Sequence, residues 1–403
     1  MHKPEEQPRW PDRYSRQTRF APIGESGQRL LEQAGVLIVG CGALGASLAQ
    51  HMARAGVGLV RIVDRDYVEP SNLQRQVLFD ERDALESLPK AVAAARKLRR
   101  INGEIEVDAR VLDVTKANVG ELLEGMDAVL DGTDNAAARL LLSDRCFRRG
   151  IPFFYGGVAG SQGMSASLVP GATACLRCLI GGGESDSEAD TCDTIGVIAP
   201  AVEWVAALQA AEALKWLSGR RDALRRTWLT GDLWNFRVRE SALPSPSRGC
   251  DICGGAQAAE ERGDEVPTSR VLVREAMDAS GSPKISSSHA AATFNRVDAQ
   301  GDGESGPNGA RPQTAVLCGR DTVQVTMGES DGIDLVEAER WLAARGCEVR
   351  SNPYLVKAAL PEGEKLVLFP DGRILVQGTQ DPARAISLCG AYLTGMRDAA
   401  IQR

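Results

Sequence analysis

Apolar positions in the first part of the chain alternate between two periods. In "AGVLIVGCGALGASLAQHMARAGVGLVRIVDRD" a continuous apolar run, 36–39, leads into a glycine turn. Small and apolar residues at helical spacing follow, and then a second apolar run. The pattern predicts strand, tight turn, helix and strand, with the first strand buried on both faces. A second unit reads as a helix over 90–101, a strand in "IEVDARVLDV", a helix over 117–123 and a strand in "DAVLDGTD". A third continues through a helix over 136–148 and a strand in "IPFFYGGV". Strands alternating with helices in this way predict an α/β fold built on an open, doubly wound, mostly parallel sheet.

The pattern then changes. Residues 161–172 read as hairpin strands, and 181–194, "GGGESDSEADTCDT", as a mobile crossover loop. A long helix, "PAVEWVAALQAAEALKWLSG", ends at Gly219, and strands "TWLTGDL" and "NFRVRE" complete a first domain over 1–253. From 254 to 313 the chain is rich in Ala, Gly, Ser and Asp, with Phe294 its sole aromatic. Apart from a short helix near 271–277, such a segment buries too little surface to offset its ordering entropy and is expected to be a flexible linker. Residues 314–403 predict a small α+β domain. Its elements are a strand "AVLCGRDTVQVT", a helix "DLVEAERWLAARG", strands "YLVKAAL" and "EKLVLFPDGRILVQG", and a helix "DPARAISLCGAYLTG". The "PDG" step between alternating runs marks a hairpin.

Composition narrows the function. The formal net charge is -7 and no basic stripe stands out, so nucleic acid is not expected as a partner. No apolar run approaches the ~18 residues of a membrane span, and the N-terminus lacks the apolar core of a signal peptide. A soluble, cytoplasmic protein is expected. Three histidines leave little room for His-based acid–base chemistry, and ten cysteines are many for a reducing compartment. Four of them form two C-x-x-C pairs, Cys175 with Cys178 and Cys250 with Cys253. Together these suit a tetrahedral, structural Zn2+ site, with a redox pair as the alternative.

Gly40, Gly42 and Gly45 of "GCGALG" form a turn of the Rossmann-like kind, which lets backbone approach a phosphate at a helix N-terminus. A tight turn with no ligand would use the same residues. Asp64, at the end of the second strand, suits a ribose hydroxyl of NAD and ATP equally, or simply caps the next turn. The stretch "SNLQRQ" separates the two nucleotides. Arg75 there can neutralise phosphate oxygens with its planar fork, which a nicotinamide site does not need at its reacting end. Lys90, in the first turn of a helix, reads from spacing alone as an exposed helix lysine.

These fragments, with "RYSRQ", "LPKA", "DGTDN", "CLRC", "TCDTIGVIAP" and "CDIC" in the same order, resemble the sulfur-carrier-protein adenylyltransferases of the ThiF/MoeB family, bacterial relatives of ubiquitin-activating enzymes. The resemblance covers roughly 10–253 and implies a reaction. MgATP and the Gly-Gly tail of a small ubiquitin-like sulfur carrier protein give an acyl adenylate and pyrophosphate, with a cysteine desulfurase or other donor supplying sulfur afterwards. It implies that Gly40, Gly42, Ala43 and Gly45 line the nucleotide and that Asp64 holds the ribose. Asn72, Arg75 and Lys90 would hold the triphosphate, and Asp134 with Asn135 the Mg2+ end; Asp134 could instead cap the helix after it. Arg16 would enter the site of a neighbouring subunit, which implies a homodimer. A local ion pair with Asp12 or Glu25 is the alternative. Cys192, in the crossover loop, matches a cysteine that can join the carrier covalently, or is an ordinary loop thiol. Ala43 stands where relatives often have glycine, and is tolerated if its φ is negative.

The tail lacks the loop of a rhodanese domain, and Cys318, Cys347 and Cys389 are expected in strands or helices. Its "PDGRILVQGT" resembles the C-terminal domain of some ThiF-type proteins of thiazole synthesis. Thiamine biosynthesis is therefore the expected pathway, and molybdenum cofactor biosynthesis, on the molybdopterin synthase carrier subunit, the alternative. An NAD-dependent oxidoreductase would leave "SNLQRQ" and the cysteine pairs unexplained. A non-enzymatic carrier-binding module would leave the filled catalytic positions unexplained.

Overall fold

The computed structural model describes residues 12–181, 195–254, 313–316, 321–326 and 332–396. They group into two compact units, each with its own sheet. The expected crossover loop and linker, with the short helix near 271–277, lie almost wholly outside the described residues.

The first unit runs α1 (Ser15–Thr18), α2 (Gly24–Gln33), β1 (Gly35–Val39), α3 (Ala43–Ala55), β2 (Leu59–Val63), α4 (Glu81–Leu85), α5 (Lys90–Ile101) and β3 (Glu106–Arg110). It continues through α6 (Val119–Leu122), β4 (Ala128–Asp131), α7 (Ala136–Arg148), β5 (Phe153–Ala159), β6 (Gln162–Leu168) and α8 (Leu176–Ile180). After α9 (Ala199–Leu217) it closes with β7 (Thr227–Asp232) and β8 (Arg237–Ala242). The sheet order is β3-β2-β1-β4-β5-β6-β7-β8. Strands β1 to β5 are mutually parallel, and β6, β7 and β8 continue antiparallel.

The apolar run of β1 has a simple cause. Val36 and Ile38 enter the core under α3, α5 and α9, while Leu37 and Val39 enter the core under α6 and α7. A parallel strand covered on both faces has no polar side to show. On the antiparallel half, Gly163 and Gly231 face each other across β6 and β7. A Cβ on Gly231 would stand 2.3 Å from the Trp204 ring. The glycine pair thus opens a slot that lets α9 lie close on the sheet.

The second unit contains β9 (Gln313–Val316), β10 (Thr322–Thr326), α10 (Leu335–Ala343), β11 (Glu348–Asn352), β12 (Leu355–Ala359), β13 (Lys365–Leu368), β14 (Arg373–Gln377) and α11 (Pro382–Leu393). Its sheet order is β11-β12-β13-β14-β10-β9. The "PDG" hairpin joins β13 to β14, with Gly372 at φ 87°. Two expectations are corrected. "AVLCGRDTVQVT" is not one strand: β9 and β10 pair antiparallel on either side of its glycine. β11 was not anticipated, because "EVRSN" carries no alternating apolar pattern and stays half-buried or exposed. Cys389 is buried within α11 as expected; Cys347 is buried too but stands just before β11, in neither strand nor helix, and Cys318 lies outside the described residues.

Candidate active site and cysteine cluster

β1 has β2 on one side and β4 on the other, so the strand order reverses there, and the crevice beyond the carboxyl ends of β1 and β4 is where such folds take ligands. The loops leaving these two strands meet backbone to backbone. Gly40 has φ 81°, a conformation that disfavours a side chain. A Cβ on Gly45 would lie 1.7 Å from Gly40 O, and one on Gly132 would lie 2.4 Å from the same oxygen. Gly132 was not singled out from the sequence; its place right after a strand end was the available signal. The approach makes a prediction. Gly45→Ala should lower folding stability by about 3 kcal/mol or more, read as a shift of the urea midpoint, because backbone cannot step aside as a side chain does.

Gly42, by contrast, has room: a Cβ there would have Gln76 Nε2 as its nearest neighbour, at 3.8 Å. It caps α3 without a side chain, leaving the first-turn amides directed at the crevice. Ala43 is the first helical residue and has negative φ, so its methyl is tolerated.

Asp64 is buried and bound at both oxygens. Oδ2 accepts from Cys41 N at 2.6 Å and Oδ1 from Asp66 N at 2.6 Å. It therefore ties the glycine loop to the turn after β2. Burial pushes its carboxyl up, and the nearby Lys90 ammonium opposes that shift. Lys90 is not the exposed helix lysine that its spacing alone implies. It is 3% exposed, with Nζ 3.2 Å from Asp66 Oδ2. Asn72 is buried too, and its Oδ1 accepts from Glu69 N at 3.1 Å, closing the Pro70–Asn72 turn. That oxygen serves the turn, which holds Arg75 and Gln76 in place through hydrogen bonds from their N–H groups to Asn72 O. Arg75 is half-buried, and Nη1 donates to Ser71 O at 2.9 Å. Gln76 is buried, and its Oε1 has no hydrogen-bond partner among the described residues.

On the β4 side, Asn135 and not Asp134 caps α7: its Oδ1 accepts from Ala138 N at 2.9 Å. Asp134 is exposed and makes no hydrogen bond or ion pair among the described residues. The carboxylate at the sheet's carboxyl edge is thereby released from a capping role.

Arg16 sits far from this crevice in its own chain. Its segment is anchored by Arg13 Nη1 to Ile101 O (3.1 Å), Gln17 Nε2 to Ala55 O (2.9 Å) and the Tyr14 hydroxyl, which accepts from Asn102 Nδ2 (2.8 Å). Ala55 and Ile101 end α3 and α5, at the opposite edge of the sheet from the glycine loop. A helix the length of α3 separates the two by about 20 Å. Arg16 is exposed and forms no ion pair among the described residues, while Glu25 pairs with Arg29 at 3.7 Å.

The four paired cysteines converge. Cys175 precedes α8, Cys178 lies in it, and Cys250 and Cys253 follow β8. Sγ separations are 3.8 Å for Cys175–Cys178, 3.7 Å for Cys175–Cys250 and 3.8 Å for Cys178–Cys253, with all four sulfurs within 4.8 Å of one another. Tetrahedral Zn–S bonds near 2.3 Å give edges of about 3.8 Å, whereas a disulfide needs about 2.05 Å. The sulfurs therefore fit a tetrahedral cation. Amides of Ser247 and Ile252 donate to Cys253 and Cys250 Sγ, each at 3.4 Å. Burial raises Cys175 to about 11. Cys250 is brought down to about 7, against its burial, by the Cys253 and Ile252 amides. Cys192 lies outside the described residues.

Comparison with known proteins adds independent findings. The ThiF family model matches residues 14–252. The sulfur carrier protein ThiS adenylyltransferase of Bacillus subtilis (strain 168) is 39% identical over 383 residues, 93% of this chain and 97% of its own length. The sulfur carrier protein adenylyltransferase of Thermus thermophilus is 36% identical over 269 residues, 65% of this chain and 94% of its own. Among solved structures, E. coli MccB crystallised with ATP aligns at a TM-score of 0.52 and 25% identity, over 60% of this chain and 75% of that one.

Proposed function

The chain belongs to the ThiF family, and from that premise we propose that it adenylates the C-terminal glycine of a small ubiquitin-like sulfur carrier protein, releasing pyrophosphate and preparing the carrier for thiocarboxylate formation. The observation that carries this reading is the junction of the β1 and β4 loops at the switch point, with Arg75 and Lys90 on one side and a released Asp134 on the other. The attacking carboxylate is already ionised at neutral pH, so the reaction asks for no general base. It asks for positive charge around the phosphates and for alignment.

In this proposal Gly40, Gly42, Ala43 and Gly45 border the phosphates, and Asp64 holds the ribose with the lone pairs its two backbone hydrogen bonds leave. Arg75 leaves Ser71 O to reach phosphate oxygens, Lys90 supplies a second charge, and Asn72 acts by holding the turn that carries Arg75. Asp134 would supply a carboxylate oxygen to Mg2+, which would bring positive charge to the leaving pyrophosphate, and Asn135 beside it keeps the cap of α7. Arg16 would serve the site of a second copy, since its own site lies at the other end of α3. The four cysteines would hold one structural zinc. Cys192 is kept as the candidate for covalent attachment of the carrier, with a cysteine desulfurase or other donor supplying sulfur. Gly196 O, four residues on, accepts from Gly160 N at 2.8 Å, at the end of β5 and so on the same sheet edge. We retain the division into 1–253, a linker and 314–403, and a cytoplasmic setting; no helix among the described residues is long and apolar enough to cross a membrane.

The relative named for ThiS matches 93% of the chain. We therefore take the carrier to be of the ThiS kind and the pathway that of thiamine. Incubated with Mg·ATP and such a carrier, the protein should add one AMP to the carrier's C-terminus, seen by intact-protein mass spectrometry. Labelling of the molybdopterin synthase carrier subunit instead would reassign the pathway, and labelling of neither would contradict the proposal.

A further inference from the structure

The most closely built polar network outside the expected residues lies beneath the loop that presents Asp134. β4 and β5 pair only at Val129–Phe153 and Leu130–Phe154. Beyond that point two side chains span the gap between them. Gln209, from α9, donates through Nε2 to Asp131 O at 3.0 Å and to Phe154 O at 2.9 Å. Arg139, from α7, donates through Nη2 to Thr133 O and, at 3.2 Å, to Gly156 O. Its Nε stands 2.6 Å from Asp131 Oδ2. The other carboxylate oxygen accepts from Thr133 N at 3.0 Å and Thr133 Oγ1 at 2.7 Å. Asp131 is wholly buried, and the guanidinium lies 5.0 Å from the centre of the Tyr155 ring, which stacks on Trp228.

An ion pair with a wholly buried carboxylate and a partly buried guanidinium is a poor device for stability alone, because apolar side chains of similar volume often serve as well or better. This one does two things that apolar side chains cannot. It suspends the 131–134 backbone between two diverging strands by hydrogen bonds to carbonyls on both. It also offsets the charge of Asp131, so that Asp134 is the carboxylate the loop offers without an ion pair among the described residues.

We propose that Arg139 is a positioning residue of the adenylation site, acting through Asp134 by fixing the loop that carries it and by neutralising Asp131 beneath it. The proposal rests on the reading of Asp134 as the carboxylate toward Mg2+. The test measures carrier-dependent ATP–pyrophosphate exchange against magnesium concentration for wild type, Arg139→Lys, Arg139→Gln, Asp134→Ala and the double variant Arg139→Gln/Asp134→Ala. Arg139→Gln should raise the magnesium needed for half-maximal exchange by roughly tenfold to a hundredfold, the scale of a misplaced catalytic group. Arg139→Lys, which keeps the charge but not the fork, should recover part of the loss, and it carries the test if the Gln variant does not fold. In the Asp134→Ala background the Gln substitution should remove little more. A lowered melting temperature with unchanged magnesium dependence, or losses that multiply in the double variant, would overturn the proposal alone. Full exchange by Asp134→Ala would overturn the reading of Asp134, and this proposal with it.

Discussion

Arg75→Ala is expected to lower carrier-dependent ATP–pyrophosphate exchange by roughly 10²- to 10³-fold, the scale on which preorganised charge stabilises a transition state. The same change should leave the urea midpoint nearly where it was. Arg75 is half-buried, and its bond to Ser71 O stays within its own turn and is exposed. Substitutions at such places move stability by about 0.5 kcal/mol or less. Lys90→Ala would be a less clean probe, because Lys90 is buried and paired with Asp66. The Arg75 variant also tests the shared site. Neither Arg75→Ala nor Arg16→Ala alone should be active, but a mixed dimer rebuilds one complete site from the intact Arg75 of one copy and the intact Arg16 of the other. Activity that returns on mixing supports the placement of Arg16. Activity that stays absent, with mixed dimers verified, contradicts it.

The second large effect concerns the four cysteines. Metal analysis should find about one zinc per chain, as a closed four-thiolate site requires, and Cys250→Ser should remove most of it. Cys250 is the thiol that the Cys253 and Ile252 amides bring down to about 7, against its burial, and it brings the segment after β8 to Cys175 beside α8. Binding energy in such a site is folding energy. A loss of about 4 kcal/mol in a unit of this size corresponds to a fall in melting temperature of roughly 10 °C. Chelation of the wild type should reproduce that fall, and zinc added back should reverse it. Zinc retained in full by Cys250→Ser would contradict the assignment.

Much of the fold was legible because local patterns and long-range packing agree. The helices over Lys90–Ile101 and Ala136–Arg148 stand at the bounds their periodicity implied. The pairing of β9 with β10 was missed because the two short strands read as one alternating run around a single glycine. The site was legible in residue types and less so in the work each residue does. Asp134 and Asn135 are adjacent and both suit an N-cap; the extended backbone of Asn135, φ -111° and ψ 121°, decides which one serves. Asn72 was expected at the triphosphate, and its Oδ1 also holds the turn that carries Arg75. Nothing in the sequence sets Arg139 apart from the other helix arginines. Its placement depends on Asp131 and Gly156, partners that only the sheet brings beside α7.

The central claim is that this crevice joins ATP to a carrier's terminal carboxylate. It is tested most directly by exchange of labelled pyrophosphate into ATP, with a ThiS-type carrier ending in Gly-Gly and with the same carrier lacking its last glycine. The account predicts exchange with the complete carrier and none with the shortened one. Exchange that ignores the terminal glycine, or no exchange with any Gly-Gly carrier, would contradict it.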